Sequence, residues 1–150
     1  MADLSIDLNW HRNTPNLAVG EYETGHEISF HDDCSIRADA APDWGGNADA
    51  TNPEQSLAAA LSSCHMMTFL SLAARASWPV ATYFDHASAK LGKLPNGRMA
   101  VTDITLTPRV TFDTGFSVTQ PELEKMHVKA HKLCFVANSV SARMTVEPVL

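Results

Sequence analysis

Asn52-Pro53-Glu54-Gln55-Ser56-Leu57-Ala58-Ala59-Ala60-Leu61-Ser62-Ser63-Cys64-His65-Met66-Met67 is the stretch on which the fold turns. Asn52 suits a helix N-cap, and Pro53 suits the first helical position, where its missing N–H costs nothing. Gln55 stands where a capping box needs an amide or carboxylate. From Gln55 to Ala76 the one charged residue is Arg75. The pattern predicts a helix of roughly 22 residues, apolar on nearly every face and ending by Ser77, ahead of Pro79. Such a helix belongs in the middle of a fold. Its length raises the membrane question, but its Ala, Ser and His content favours a buried helix over a membrane span.

The chain has 150 residues, enough for one domain over residues 1–150 with a sizeable core. A formal net charge of −6, with no basic run or stripe, argues against a nucleic-acid partner. The start, Met-Ala-Asp-Leu-Ser-Ile-Asp, lacks the basic-then-apolar layout of an export signal, so a cytoplasmic protein is expected. Three cysteines (Cys34, Cys64 and Cys134) then point to free thiols, a metal site or catalytic sulfur rather than a disulfide framework.

Upstream of the helix, Leu4, Ile6, Leu8 and Trp10 alternate with polar residues as a half-buried strand. Further strands are expected over Ala18–Tyr22, His26–Phe30 and Ser35–Arg37, joined by turns at Thr24-Gly25 and Asp32-Asp33. Asp39–Thr51 reads as a long loop of the kind that lines a site. Downstream, Pro79–Leu91 reads as a strand, Pro95-Asn96-Gly97 as a hairpin turn, and Ile104, Leu106, Val110 and Phe112 as one long returning strand, with Pro108 marking an edge or a bulge. Thr119 and Glu122 open a second helix with a capping box, and Leu123, Met126, Ala130, Leu133 and Cys134 form its apolar stripe. After a bend from Phe135, Val140, Ala142, Met144 and Val146 close the chain as a strand. Hairpins outnumber βαβ units, so the class is α+β: an antiparallel β-meander and a hairpin around a long buried helix.

Cys64 and Cys134 each fall on the apolar face of a helix. Read from residues alone, they are either buried thiols acting as small hydrophobes or a redox pair in which one thiolate attacks peroxide and the other resolves the sulfenic acid. His127, His131 and Cys134, at i, i+4 and i+7, offer a metal-binding alternative. His65 points about 100° away from Cys64 on the helix, which excludes a Cys–His dyad of the protease type. Arg12 and Arg37 are the arginines of the N-terminal strands and loops. Cys34, flanked by Asp33, reads as a bystander.

Residues 52 to 65 resemble the Asn-Pro-Glu-x-x-Leu-x-Ala-Ala-x-x-x-Cys signature of the OsmC/Ohr family of thiol-dependent hydroperoxide reductases. Ala130-His131-Lys132-Leu133-Cys134-Phe135-Val136-Ala137-Asn138-Ser139 is similar to the family's second cysteine segment. The resemblance implies an OsmC-like fold in an intertwined homodimer with the central helices buried between subunits. It implies that Cys64 is the peroxidatic nucleophile and Cys134 the resolving cysteine. The activity implied is reduction of organic hydroperoxides to alcohols in defence against oxidative or osmotic stress. No cofactor is implied beyond an external dithiol reductant of lipoyl type. Glu54 matches the motif glutamate that partners a catalytic arginine in the hydroperoxide-resistance branch, for which Arg37 and Arg12 are the candidates. At ten residues, or about 15 Å, along the helix, Glu54 acts on Cys64 only through such an arginine. The second segment departs from the family's usual Cys-Pro-x-Ser. The same fold without chemistry is the other reading, a protein that binds a hydrophobic ligand and keeps inert thiols. Burial alone would raise the Cys64 pKa, so a cation from Arg12 or Arg37 is expected to offset it, with Leu61, Met67, Phe69 and Phe135 lining an apolar peroxide pocket.

Overall fold

The computed structural model describes residues 3–150, and its elements fall into two compact units, 1–56 and 57–150. The first unit holds β1 (Asp7–Asn9), β2 (His26–His31) and β3 (Cys34–Ala38), an antiparallel sheet in the order β1-β2-β3. Ala18–Tyr22, expected as a strand, is instead a turn: the Glu21 N–H bonds the Ala18 carbonyl at 3.0 Å and Gly20 takes φ +76°. Glycine alone adopts that backbone without strain, so the short apolar alternation there loses to local turn chemistry. The Asp39 carboxylate organises the loop that follows. It accepts hydrogen bonds from the Thr24 hydroxyl (2.6 Å) and from the N–H groups of Ala40 (2.7 Å) and Asn47 (2.9 Å).

Helix α1 (Pro53–Arg75) starts as its sequence demands. The Gln55 N–H donates to Asn52 Oδ1 at 2.8 Å, and the Asn52 N–H donates back to Gln55 Oε1 at 3.3 Å, closing the box. It stops where Ser77 turns left-handed at φ +58° and the Trp78 N–H reaches back to the Ala73 carbonyl at 2.9 Å.

Two breaks shape the second unit. The expected strand from Pro79 is two strands, β4 (Val80–Asp85) and β5 (Ser88–Lys93), and the returning strand is likewise β6 (Met99–Leu106) and β7 (Pro108–Phe112). The breaks face each other: the Thr107 N–H donates to Asp85 Oδ1 at 2.7 Å and its hydroxyl to the His86 carbonyl at 2.8 Å. These side-chain bonds replace ladder bonds, so β4 pairs with β7 in one sheet while β5-β6-β8 form another, with β8 being Arg143–Val146. Pro108 opens β7 and needs no N–H partner there. β8 runs parallel to β6, a pairing that alternation in the sequence could not specify.

Helix α2 (Gln120–Leu133) opens with the Thr119–Glu122 capping box. Thr119→Ala is expected to cost about 1 kcal/mol, read as a lower urea midpoint with unchanged slope. Leu133, assigned to its buried stripe by spacing, is 55% exposed, because Cys134 already leaves helical geometry at φ −71°, ψ 117° and turns the chain.

α1 buries Ala58, Leu61, His65, Phe69 and Ala73, at helical steps of three and four. Two apolar clusters receive this face. Phe69 and Ala73 pack with Val110, Leu123, Met126 and Ala130. Ala58 and Leu61 pack with Ile104, Leu106 and Cys134. The opposite face (Ala60, Ser63, Met67, Ser71 and Ala74) is exposed and carries no charge.

Candidate active site

Cys64 is half-buried on α1, and Cys134 is fully buried one residue past α2; both are free thiols in the second cluster. Their 70-residue separation in sequence closes in the fold: Cys64 packs against the cluster that contains Cys134, and each thiol perturbs the other. The turn that ends α2 places further donors around them. The N–H groups of Val136 and Phe135 face the Cys64 sulfur. The Ala137 N–H donates to Cys134 Sγ at 3.5 Å. Thr68, one turn beyond Cys64, donates its hydroxyl to the Cys64 carbonyl at 2.8 Å and lies within reach of the sulfur as well.

These contacts separate the two thiols. At Cys64, burial pushes the pKa up, but the Val136 N–H, the Cys134 thiol, the Phe135 N–H and the Thr68 hydroxyl together outweigh it and hold the thiol below its ordinary value. At Cys134, burial raises the pKa and the Ala137 N–H lowers it; the neighbouring Cys64 sulfur adds to the rise, and the net shift is upward. These directions, down at Cys64 and up at Cys134, favour Cys64 as the thiol that ionises first. The groups that lower the Cys64 thiol within the chain are neutral donors.

Glu54, Arg37 and Arg12 belong to the first unit. Arg37 is exposed on β3 opposite Glu27 and lines an open cavity of about 670 Å³ with Tyr22, His26, Asp39 and Trp44. Arg12 is exposed in the irregular segment after β1. Glu54 Oε2 is buried without a hydrogen-bond partner, and among the described residues the ion pair is Arg143–Asp103, not one between Glu54 and either arginine. The expected apolar lining is also redistributed. Leu61 and Phe69 are buried in separate clusters, and Phe69 stacks on His127 with ring centroids 4.3 Å apart. Met67 and Phe135 are exposed, at 58% and 82%.

His127 does not join His131 and Cys134 around a metal position. It is buried against α1, where His127 Nδ1 meets His65 Nε2 at 2.9 Å. Among the described residues no group of three or more His, Cys, Asp or Glu side chains is gathered for a metal ion. This histidine pair went unread in the sequence. Its signal was the apolar stripe itself: His65 lies four residues from both Leu61 and Phe69, and His127 lies four from Leu123 and three from Ala130.

An α+β unit in which a long apolar helix presents one cysteine to a second, at the end of a neighbouring helix, defines a paired-thiol protein. Residues 45–149 match the family model described as OsmC-like protein, and the chain belongs to that family. Its structure is similar to that of an OsmC-like protein of unknown function from Vibrio cholerae, at 36% identity and a TM-score of 0.91, with 99% of this chain and 100% of that one covered. It shares its fold with an organic hydroperoxide resistance protein from Elizabethkingia anophelis (19% identity, TM-score 0.70, 98% and 95% covered). The organic hydroperoxide resistance protein OhrB of Bacillus subtilis has the same fold (15% identity, TM-score 0.70, 97% and 96% covered). No protein of curated function matches the sequence.

Proposed function

We propose that this protein is a cysteine-based peroxidase that reduces organic hydroperoxides to alcohols, with Cys64 as nucleophile and Cys134 as resolving thiol. The observation that carries the reading is the packing of Cys64 against the apolar cluster that contains Cys134, beside the turn that ends α2; the directions of the two thiols, Cys64 lowered and Cys134 raised, agree with it. The Cys64 thiolate attacks the distal oxygen of ROOH. The O–O bond breaks, the alkoxide takes a proton and leaves as ROH, and Cys64 becomes a sulfenic acid. The Cys134 sulfur then displaces the sulfenic hydroxyl, which leaves with the Cys134 proton as water, and a Cys64–Cys134 disulfide forms. An external dithiol, of the lipoyl type, returns both thiols by exchange and is itself oxidised to a disulfide. The cycle needs no metal or bound cofactor and suits the reducing cytoplasm, where such a dithiol persists.

The working form is proposed to be a homodimer. The uncharged outer face of α1 (Ala60, Ser63, Met67, Ser71 and Ala74) would be covered by the partner's copy, as an exposed apolar helix face requires.

The test is consumption of an alkyl hydroperoxide coupled to a dithiol such as dihydrolipoamide, with mass spectrometry of the cysteine peptides. Turnover with a Cys64–Cys134 disulfide supports the reading. No turnover above background and two thiols untouched by peroxide would leave the protein as a ligand-binding relative with inert sulfur.

A further inference from the structure

We infer that His65 and His127 are positioning residues whose ring-to-ring hydrogen bond fixes α2 on α1 in the one register that sets Cys134 against Cys64. The inference rests on the reading of those cysteines as a redox pair.

The two imidazoles are 0% and 1% exposed, within a core otherwise built from Phe69, Leu123, Met126 and Ala130. Their planes differ by 9° with centroids 5.2 Å apart, so the 2.9 Å bond joins them edge to edge, nearly in plane. Each leaves its other ring nitrogen, His65 Nδ1 and His127 Nε2, buried without a partner. Each neutral ring carries one N–H, and one of the two is used in the bond. One donor and one acceptor therefore stay unsatisfied in either tautomer arrangement. Two apolar side chains would fill the space without that cost. What the polar pair adds is selectivity: a leucine contact tolerates sliding of one helix on the other, and a single buried hydrogen bond does not.

The placement suits that role. His65 follows Cys64 directly on α1, and His127 lies two turns before Cys134 on α2. The groups facing the pair are His131 on α2 and Asp85 and Tyr83 on β4. Asp85 is itself held by the Ser62 hydroxyl (2.5 Å) and the Thr107 N–H (2.7 Å). Burial keeps both rings neutral, His65 titrating at about 4 and His127 at about 3, so the bond persists throughout the neutral range.

The experiment is the rate at which the reduced full-length protein closes the Cys64–Cys134 disulfide with diamide, followed by mass spectrometry. Diamide takes two electrons and both thiol protons to become a hydrazine, and the sulfurs join. His65→Leu/His127→Leu is expected to melt at or above the wild-type temperature yet close the disulfide about tenfold more slowly, the effect of one hydrogen bond lost from the aligned state. His65→Gln/His127→Asn, whose amides can replace Nε2 and Nδ1, is expected to restore the rate to within about threefold. A folded leucine pair closing at the wild-type rate overturns the assignment. If the leucine pair does not fold, the amide pair decides: folded but about tenfold slow, it also overturns it. Wild type that forms no disulfide with diamide sinks the redox-pair reading instead, a separate result.

Discussion

Cys134→Ser is expected to reduce one equivalent of an alkyl hydroperoxide and then stop, whereas Cys64→Ser reduces none. The asymmetry follows from the proposed roles of the two sulfurs. The Val136 and Phe135 N–H groups and the Thr68 hydroxyl act to lower the Cys64 thiol against its burial, which favours α1 as the source of the attacking thiolate. A serine hydroxyl at 134 can still donate to that thiolate, so the first step survives. The sulfenic acid it produces then has no thiol to condense with, and it accumulates. Serine at 64 removes the nucleophile itself, because an alcohol does not ionise in the neutral range; the first step falls by at least about a thousandfold. The measurement is peroxide loss with peroxide in severalfold excess over enzyme and a dithiol present, under which wild type continues to turn over, with dimedone trapping of the sulfenic acid and peptide masses. A dimedone adduct on Cys134 in the Cys64→Ser protein would reverse the roles assigned to the two cysteines.

Much of this site could be read from residue order, and the part that could not has a physical reason. The α1 start was legible because Asn52, Pro53 and Gln55 act on their own backbone within one turn. The Thr119–Glu122 box was legible for the same reason. The breaks at His86 and Thr107 were not, since they depend on Asp85 reaching across 22 residues to the Thr107 N–H. The meeting of Cys64 with Cys134 needed the family resemblance, because periodicity gives the face of each helix but not which faces meet. The donors at Phe135, Val136 and Ala137 are main-chain N–H groups; every residue but proline has one, so no residue type announces them. His127 entered a metal-binding alternative because i, i+4 spacing with His131 is shared by metal ligands and by ordinary helix faces. Its neighbours Leu123 and Ala130 on the same stripe were the better guide to its burial.

Acid is expected to weaken this fold before any carboxylate is protonated. An unfolded histidine takes up its proton near pH 6.5, whereas burial delays His65 to about 4 and His127 to about 3, with the neighbouring ring disfavouring a second charge. Below pH 6.5 the unfolded chain therefore binds more protons than the folded one, and each unit of acidification shifts the equilibrium toward unfolding. The contribution is whole above pH 6.5, declines through the window and is fully lost below the folded values. At pH 5 the two histidines together remove about 4 kcal/mol relative to pH 7.5, a large part of the stability of a domain of this size. The carboxylates that the fold holds low, Asp39 among them, contribute only nearer pH 4 and below, so the upper window belongs to the histidines. Urea unfolding at pH 7.5, 6.5, 5.5 and 5 checks this, and His65→Leu/His127→Leu should flatten the curve over that range. A wild-type midpoint that does not move between pH 7.5 and 5 would mean that the folded pair accepts protons as readily as the unfolded chain. The buried ring-to-ring bond would then be carrying a charge rather than joining two neutral rings.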